Sequence, residues 1–220
     1  MSTARTAAAG ERCPLCGHER STLRHADSAR EYRRCPECAL IFVPASMRPG
    51  REEEHARYRL HDNRRDDRRY VAFLDRLAEP LRARLEPGAR GLDFGCGPTP
   101  VLAEMLSAAG HPTVSYDPFF APEASLLETT YDFIACSEVA EHLHDPRAVF
   151  EGFARMLRSG GMLGIMTRFH GVEAPFETWW YTRDPTHVCF YAEETMRWIA
   201  AWQGWTVDFT AGNVVLFGAP

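Results

Sequence analysis

The stretch Gly91-Leu92-Asp93-Phe94-Gly95-Cys96-Gly97 leaves this chain few options. An apolar strand runs directly into a turn with two glycines, which accept the backbone angles and the close ligand approach that a Cβ forbids. Thr113-Val114-Ser115-Tyr116-Asp117 then reads as a second short strand ending in an acid. Strand, glycine turn, helix, strand and acid make a nucleotide-binding βαβ unit, whose terminal acid can accept hydrogen bonds from a ribose diol. The turn is not of the dinucleotide type, which reads G-x-G-x-x-G and aims a helix N-terminus at a pyrophosphate. Here Asp93 stands just ahead of the first glycine and Pro98 follows the second. An acid in that place suits a cationic ligand.

At these residues the chain resembles the class I S-adenosylmethionine-dependent methyltransferases. Leu92-Asp93-Phe94-Gly95-Cys96-Gly97 is similar to that family's motif I. The run from Tyr131 to His142 (Tyr-Asp-Phe-Ile-Ala-Cys-Ser-Glu-Val-Ala-Glu-His) and the run Met156-Leu157-Arg158-Ser159-Gly160-Gly161-Met162-Leu163 are similar to its later motifs, in the family's order. The resemblance implies an α/β, Rossmann-like sheet with an antiparallel last strand and S-adenosylmethionine as methyl donor. It places donor contacts at Asp93, Gly95, Cys96, Gly97, Asp117, Pro118, Phe119, Ser137 and Glu138. One departure stands out: thirteen residues separate Asp117 from Tyr131. They are too few for the usual helix and strand, so the third strand is expected to be reduced or lost. The rival reading is a Rossmann-like domain for another nucleotide.

The chain of 220 residues suits one α/β domain plus a small module. No apolar run reaches the length of a membrane span. Residues 1–11 read as a disordered polar tail rather than a secretory signal, and a cytoplasmic protein with reduced or metal-bound cysteines is expected. There is no lysine, and charge is lopsided: residues 1–90 carry 19 Arg against 14 acids, residues 91–220 carry 6 Arg against 16 acids. The half with the motifs is acidic, which disfavours a polyanionic substrate. The expected partner is a small molecule, with neither membrane nor nucleic acid; no feature of the sequence sets an oligomeric state.

Cys13, Cys16, Cys35 and Cys38 form a C-x2-C-x18-C-x2-C pattern, the spacing of a four-thiolate zinc site, so residues 12–45 read as a zinc ribbon. A redox dithiol would need one such pair, not two. The ribbon could serve RNA contact or form a scaffold over the substrate. Residues 12–43 hold six Arg and four acids, a surplus that four thiolates on one Zn²⁺ cancel, so the scaffold reading is preferred.

Residues 46–65 read as a polar, solvated helical linker, with Tyr58 and His61 able to face a site. The methyltransferase-like part covers 66–220. Its first helix carries Tyr70, Phe73, Leu74, Leu77, Leu81 and Leu85 on one face. After motif I, Thr99 is expected to cap a helix with Pro100 at its first position. Asp145-Pro146 opens another helix, Glu193 to Trp202 a last one, and a closing hairpin turns at Ala211-Gly212. Residues 168–191 crowd Phe169, Phe176, Trp179, Trp180, Tyr181, Phe190 and Tyr191 around His170, Asp184 and His187. Long loops are usually functional, so this insertion reads as an aromatic lid, or else as a buried aromatic cluster.

Transfer from a sulfonium needs alignment and exclusion of water, and an oxygen acceptor also needs its proton removed. His187 fits a general base, with Asp184 to orient it. Glu138-x-x-Glu141-His142 is similar to the metal-binding motif of ubiquinone-pathway and small-RNA O-methyltransferases, which implies catalytic roles for Glu138, Glu141 and His142 and a possible Mg²⁺ or Mn²⁺ there. The expected activity is O-methylation of a small aromatic, polyol or sugar-like metabolite. An RNA methyltransferase and a non-catalytic binding module are the alternatives.

Overall fold

Parallel strands joined by helices, then an antiparallel finish, are what the alternation of apolar runs and glycine turns demands. A computed structural model describes residues 11–60, 63–210 and 212–220. The expected tail therefore lies almost wholly outside the described residues, as do His61 and Ala211 of the closing turn.

A six-stranded sheet forms the centre. Its strands are β4 (Gly91–Phe94), β5 (Thr113–Tyr116), β6 (Tyr131–Ser137), β7 (Leu157–Met166), β9 (Thr206–Phe209) and β10 (Val214–Gly218), in the order β5-β4-β6-β7-β10-β9. β5, β4, β6 and β7 run parallel, whereas β10 pairs antiparallel with both β7 and β9. The third strand is lost, as expected: between β5 and β6 lie one bridge, Asp117 to Ala121, and a 3-10 turn, Ala124–Glu128.

Helices cover both faces. On one side α2 (Arg68–Arg82) and α3 (Val101–Ala108) bury Leu74, Leu77, Leu81, Val101 and Leu106 against Phe133, Met166 and Leu216. α2 is capped by Asp67, which accepts from Arg69 N and Tyr70 N. On the other side α4 (Pro146–Met156), capped by Asp145, and α5 (Glu193–Gln203) bury Phe150, Phe153, Met196 and Ile199.

The N-terminal cysteine module is continuous with this second core. Its strands β1 (Thr22–Ala26), β2 (Glu31–Arg34) and β3 (Ile41–Phe42) form an antiparallel sheet whose fourth member is β8 (Cys189–Phe190), from the opposite end of the chain. Leu15, Tyr32, Leu40 and Phe42 share one core with Phe176, Trp179, Tyr181 and Phe190. The aromatics of 168–191 are thus mostly buried wall; Trp180 stays half exposed, its ring under Arg168.

The charge-dense segment expected to be solvated forms α1 (Arg51–Tyr58), and it differs from that reading. Glu54 is buried and accepts from His144 Nε2 at 2.8 Å. Arg51 lies 4.4 Å from the Phe119 ring centre and donates to Pro118 O. The cationic and aromatic side chains of α1 find partners more than sixty residues away, which a local charge pattern does not show.

Candidate active site

A cleft of about 820 Å³ opens at the carboxyl ends of β4, β5 and β6, where open parallel sheets bind ligands. Its floor is the turn after β4. Gly95 and Gly97 have φ of +82° and +65°, in the left-handed region that side chains disfavour. Gly95 is fixed twice over, since a Cβ there would lie 2.3 Å from Val139 Cγ2.

Asp117, buried at the end of β5, ties this turn to the next loop. Its Oδ2 accepts from Gly97 N at 3.0 Å, and its Oδ1 from Phe119 N at 2.8 Å and Phe120 N at 3.1 Å. Three of a carboxylate's roughly four acceptor positions are therefore taken, and the remainder faces the cleft. Pro118 and Phe119 line the cleft beside it, with His55 of α1 stacked on Phe119 at 5.3 Å between ring centres. Cys96 also lines it; burial pushes its thiol up to about 12, which makes it a packing group.

Asp93 has a different place. It is buried beneath the turn rather than lining the cleft, and its Oδ2 accepts from Ala103 N at 3.3 Å in the first turn of α3. Thr99 does not cap that helix: α3 starts at Val101 with no side-chain cap from Pro100, and the acid from β4 supplies the acceptor instead. Burial, with Asp117 adding repulsion, pushes Asp93 up to about 7.

β6 ends at Ser137, and Glu138 then adopts φ +52°. Among the described residues, Ser137 Oγ and Glu138 Oε1 are buried without a hydrogen-bond partner, and both residues line the cleft. Burial first, then the charge of Glu141, push Glu138 up to about 9, against the pull of Arg168 and Arg76.

The left-handed step at Glu138 separates it from the residues that follow. Glu141 lies in a 3-10 turn, Ala140–His142, and is 1% exposed. It accepts from Thr167 Oγ1 at 2.9 Å and, through Oε1, from the Tyr181 hydroxyl. His142 Nδ1 donates to Thr186 O at 3.1 Å and His187 Nδ1 to Tyr181 O at 2.8 Å. A carbonyl only accepts, so both rings carry a proton on Nδ1, which makes Nε2 the lone-pair nitrogen of the neutral tautomer. The two rings are 4.8 Å apart. Burial pushes His187 down to about 4, outweighing the attraction of Glu141, so the ring is a neutral base at pH 7. Among the described residues the Asp184 carboxylate makes no hydrogen bond to this ring, although His187 N donates to Asp184 O at 3.2 Å. Asp184 binds Thr186 N and Oγ1 and pairs with Arg57 at 2.8 Å, and these bonds outweigh its burial and hold its carboxyl well below the usual range.

Among the described residues, two clusters have the donor atoms of metal sites. Glu141, His142 and His187 each bring a ligand atom within 4.8 Å of the others; Glu138 is not in this group. One carboxylate with two imidazoles, each held by a carbonyl on its other nitrogen, suits a transition ion such as Mn²⁺ better than Mg²⁺. Cys13, Cys16, Cys35 and Cys38 form the second cluster, with Sγ pairs 3.6 and 3.4 Å apart. A tetrahedron of sulfurs about 2.3 Å from zinc has edges of about 3.8 Å, so the four thiols fit one ion with little movement. Sequence patterns gave no sign of Tyr181 and Thr167 as partners of Glu141. The expected acids and histidines were legible as residue types, but those hydrogen bonds depend on how the 168–191 segment folds back.

The sheet order and the cleft at its carboxyl edge define a Rossmann-like fold of the methyltransferase kind. Comparison with known proteins agrees: residues 61–208 match the family model described as a methyltransferase domain, and the chain belongs to that family. A ubiquinone biosynthesis O-methyltransferase of Xanthomonas axonopodis pv. citri is 31% identical over 40% of this chain and 47% of its own length. The corresponding protein of Colwellia psychrerythraea is 29% identical over 41% and 37%. The chain thus spans about half or less of these curated relatives. Among solved structures, magnesium protoporphyrin IX methyltransferase from Synechocystis PCC 6803 with bound S-adenosylhomocysteine has a TM-score of 0.52 at 13% identity, covering 77% of this chain and 94% of its own. The protein PH0226 of Pyrococcus horikoshii also scores 0.52, at 13% identity over 75% and 99%. At these identities the likeness is one of fold. No helix among the described residues is long and apolar enough to cross a membrane.

Proposed function

We propose that this protein transfers the methyl group of S-adenosylmethionine to an oxygen of a small-molecule acceptor, with His187 as the base. One observation carries the reading: a single cleft is lined by the Gly95–Gly97 turn, by Asp117 and by the neutral His187, whose Nδ1 is tied to Tyr181 O. When bound, the donor supplies an activated methyl on a cationic sulfur. The chain's own residues bind, orient and deprotonate. Asp117 and the glycine turn hold the nucleoside, and Glu138, half-buried with its Oε1 enclosed and unpartnered, meets the donor's positive end. His187 takes the acceptor proton at Nε2, while Nδ1 stays on Tyr181 O. Tyr181, which lines the cleft and is backed by the buried Trp179 and Phe190, helps keep water out. Zn²⁺ on the four cysteines is structural in this reading, and the acidic balance around the cleft disfavours RNA as acceptor.

The Glu141–His142–His187 cluster favours one variant, in which a divalent ion polarises vicinal acceptor oxygens; an ion there would compete with Tyr181 for Glu141. Titration calorimetry with S-adenosylhomocysteine, followed by a methyl-transfer screen of catechols, polyols and sugars with and without Mn²⁺, tests both. Saturable nucleoside binding and a transfer that His187→Ala abolishes are expected. Absence of any nucleoside binding would end the proposal, and binding without transfer to any acceptor would favour a non-catalytic module.

A further inference from the structure

One cation of the cysteine module, lying 5.3 Å from the ring centre of its own Tyr32, gives its hydrogen bonds to the loop that carries His187. Arg30 sits at the tip of the β1–β2 hairpin, in a turn closed by Asp27, whose Oδ1 accepts from Ala29 N and Arg30 N at 2.7 Å each. From there Arg30 Nη1 donates to Pro185 O at 2.9 Å and His187 O at 3.0 Å, and Nη2 to Thr182 O at 2.5 Å and Asp184 O at 3.1 Å. Four carbonyls within six residues thus converge on one planar guanidinium, a geometry that a lysine's compact ammonium cannot reproduce.

The same loop is fastened further on. Val43 N donates to Val188 O at 2.9 Å, and β3 pairs with β8 directly after His187. On its inner side Val188 N donates to Glu141 O at 2.8 Å. Among the described residues β8 pairs with no strand of the central sheet. The loop is therefore held by the cysteine module on one side and by the Glu141–His142 turn on the other, with Arg57 of α1 pairing with Asp184 between them.

We propose that Arg30 is a positioning residue: through it the cysteine module holds the 182–187 loop, and with it His187, at the cleft. The consequence for catalysis rests on the methyl-transfer reading above; the hold itself does not. The module is then a wall of the active site, and its metal centre, by fixing the hairpin, serves the chemistry from outside the cleft.

Hydrogen exchange by mass spectrometry on the full-length, metal-loaded protein tests this without knowledge of the acceptor. In Arg30→Ala, exchange over 182–188 should accelerate about tenfold or more, the scale set by losing a charge-assisted hydrogen bond. Arg30→Lys should restore part of the protection. Arg34→Ala, which removes an exposed pair with Glu194 on the same hairpin, should leave the loop unchanged. Nitrogen-15 spectra of the histidine rings should show the fixed His187 tautomer becoming mixed only in Arg30→Ala. Cysteine-bound metal and affinity for S-adenosylhomocysteine should stay at the parent values. Unchanged exchange over 182–188 in Arg30→Ala, or equal loosening in Arg34→Ala, would overturn the proposal. A loosened loop and mixed tautomer with methyl transfer intact would uphold the hold on the loop and remove His187 from catalysis instead.

Discussion

If donor binds against Glu138 as proposed, its binding should be a proton-release reaction. The backbone of Glu138 is held in the left-handed region, its Oε1 is buried without a protein partner, and burial with Glu141 raises the carboxyl to about 9. At pH 7, well below that value, the carboxyl holds its proton. A cationic donor that binds the charged form must first expel that proton, and the work of doing so is subtracted from its apparent affinity. Apparent affinity should then rise about tenfold per pH unit from pH 6 to pH 8 and level off above 9. The decisive assay is calorimetry at pH 7 in buffers of different ionisation enthalpy, comparing the parent with Glu138→Gln. The parent should release close to one proton more than the variant, and protonation of the donor's own amine cancels in the difference. Equal proton counts, with the same pH slope in both proteins, would show that Glu138 stays protonated when donor binds and would refute the reasoning. The sign also fixes a stability effect. A raised carboxyl binds its proton in the folded state and not in the unfolded one between its ordinary value and about 9, so this contribution is full at acid pH and is lost as pH rises through that window.

Asp117→Ala should weaken S-adenosylhomocysteine binding by about 1.5–3 kcal/mol and also lower the melting temperature of the free protein, because three backbone N–H groups lose their acceptor; an unchanged dissociation constant in calorimetry contradicts the assignment. Cys35→Ser should purify with less than one zinc and unfold at lower temperature, and full metal content by elemental analysis would remove the four-thiolate centre. Gly95→Ala should destabilise by about 1–3 kcal/mol from the positive φ alone, plus the clash with Val139. The added substitution Val139→Ala should recover the clash and not the φ cost in denaturant melts, and full recovery would show that the turn is not strained.

The central fold was legible because its signals are local. An apolar run, a glycine turn and an acid on the next strand declare themselves within thirty residues, and the short gap before Tyr131 announced the missing third strand. Asp117, Pro118, Phe119, Cys96, Ser137 and Glu138 all line the cleft for the same reason: each stands next to a strand end. The rest depended on distant partners. Glu54 reads as a solvated charge until His144, ninety residues on, meets it. Asp93 takes over the capping task expected of Thr99 because β4 delivers it under α3. Glu138 and Glu141 look like one motif in sequence, yet past the left-handed Glu138 they part: Glu138 lines the cleft with Oε1 unpartnered, whereas Glu141 bonds Thr167 and Tyr181 and lies beside His187. Strand β8, two residues long, carries no periodicity at all, and only its pairing with β3 reveals it.

That pairing has a bearing on how the protein comes into being. β3 is complete when residue 42 has been made, but its partner arrives only with residue 189. At about 5–20 residues per second, the ribosome leaves the apolar edge Leu40-Ile41-Phe42-Val43 unpaired for roughly 7–30 s in every molecule made. The arginine-rich first ninety residues, with their surplus of positive charge, surround that edge during the wait. Like-charge repulsion between neighbouring nascent chains is then a safeguard against strand-to-strand association, and the acidic half that follows cancels it only as the edge is being covered.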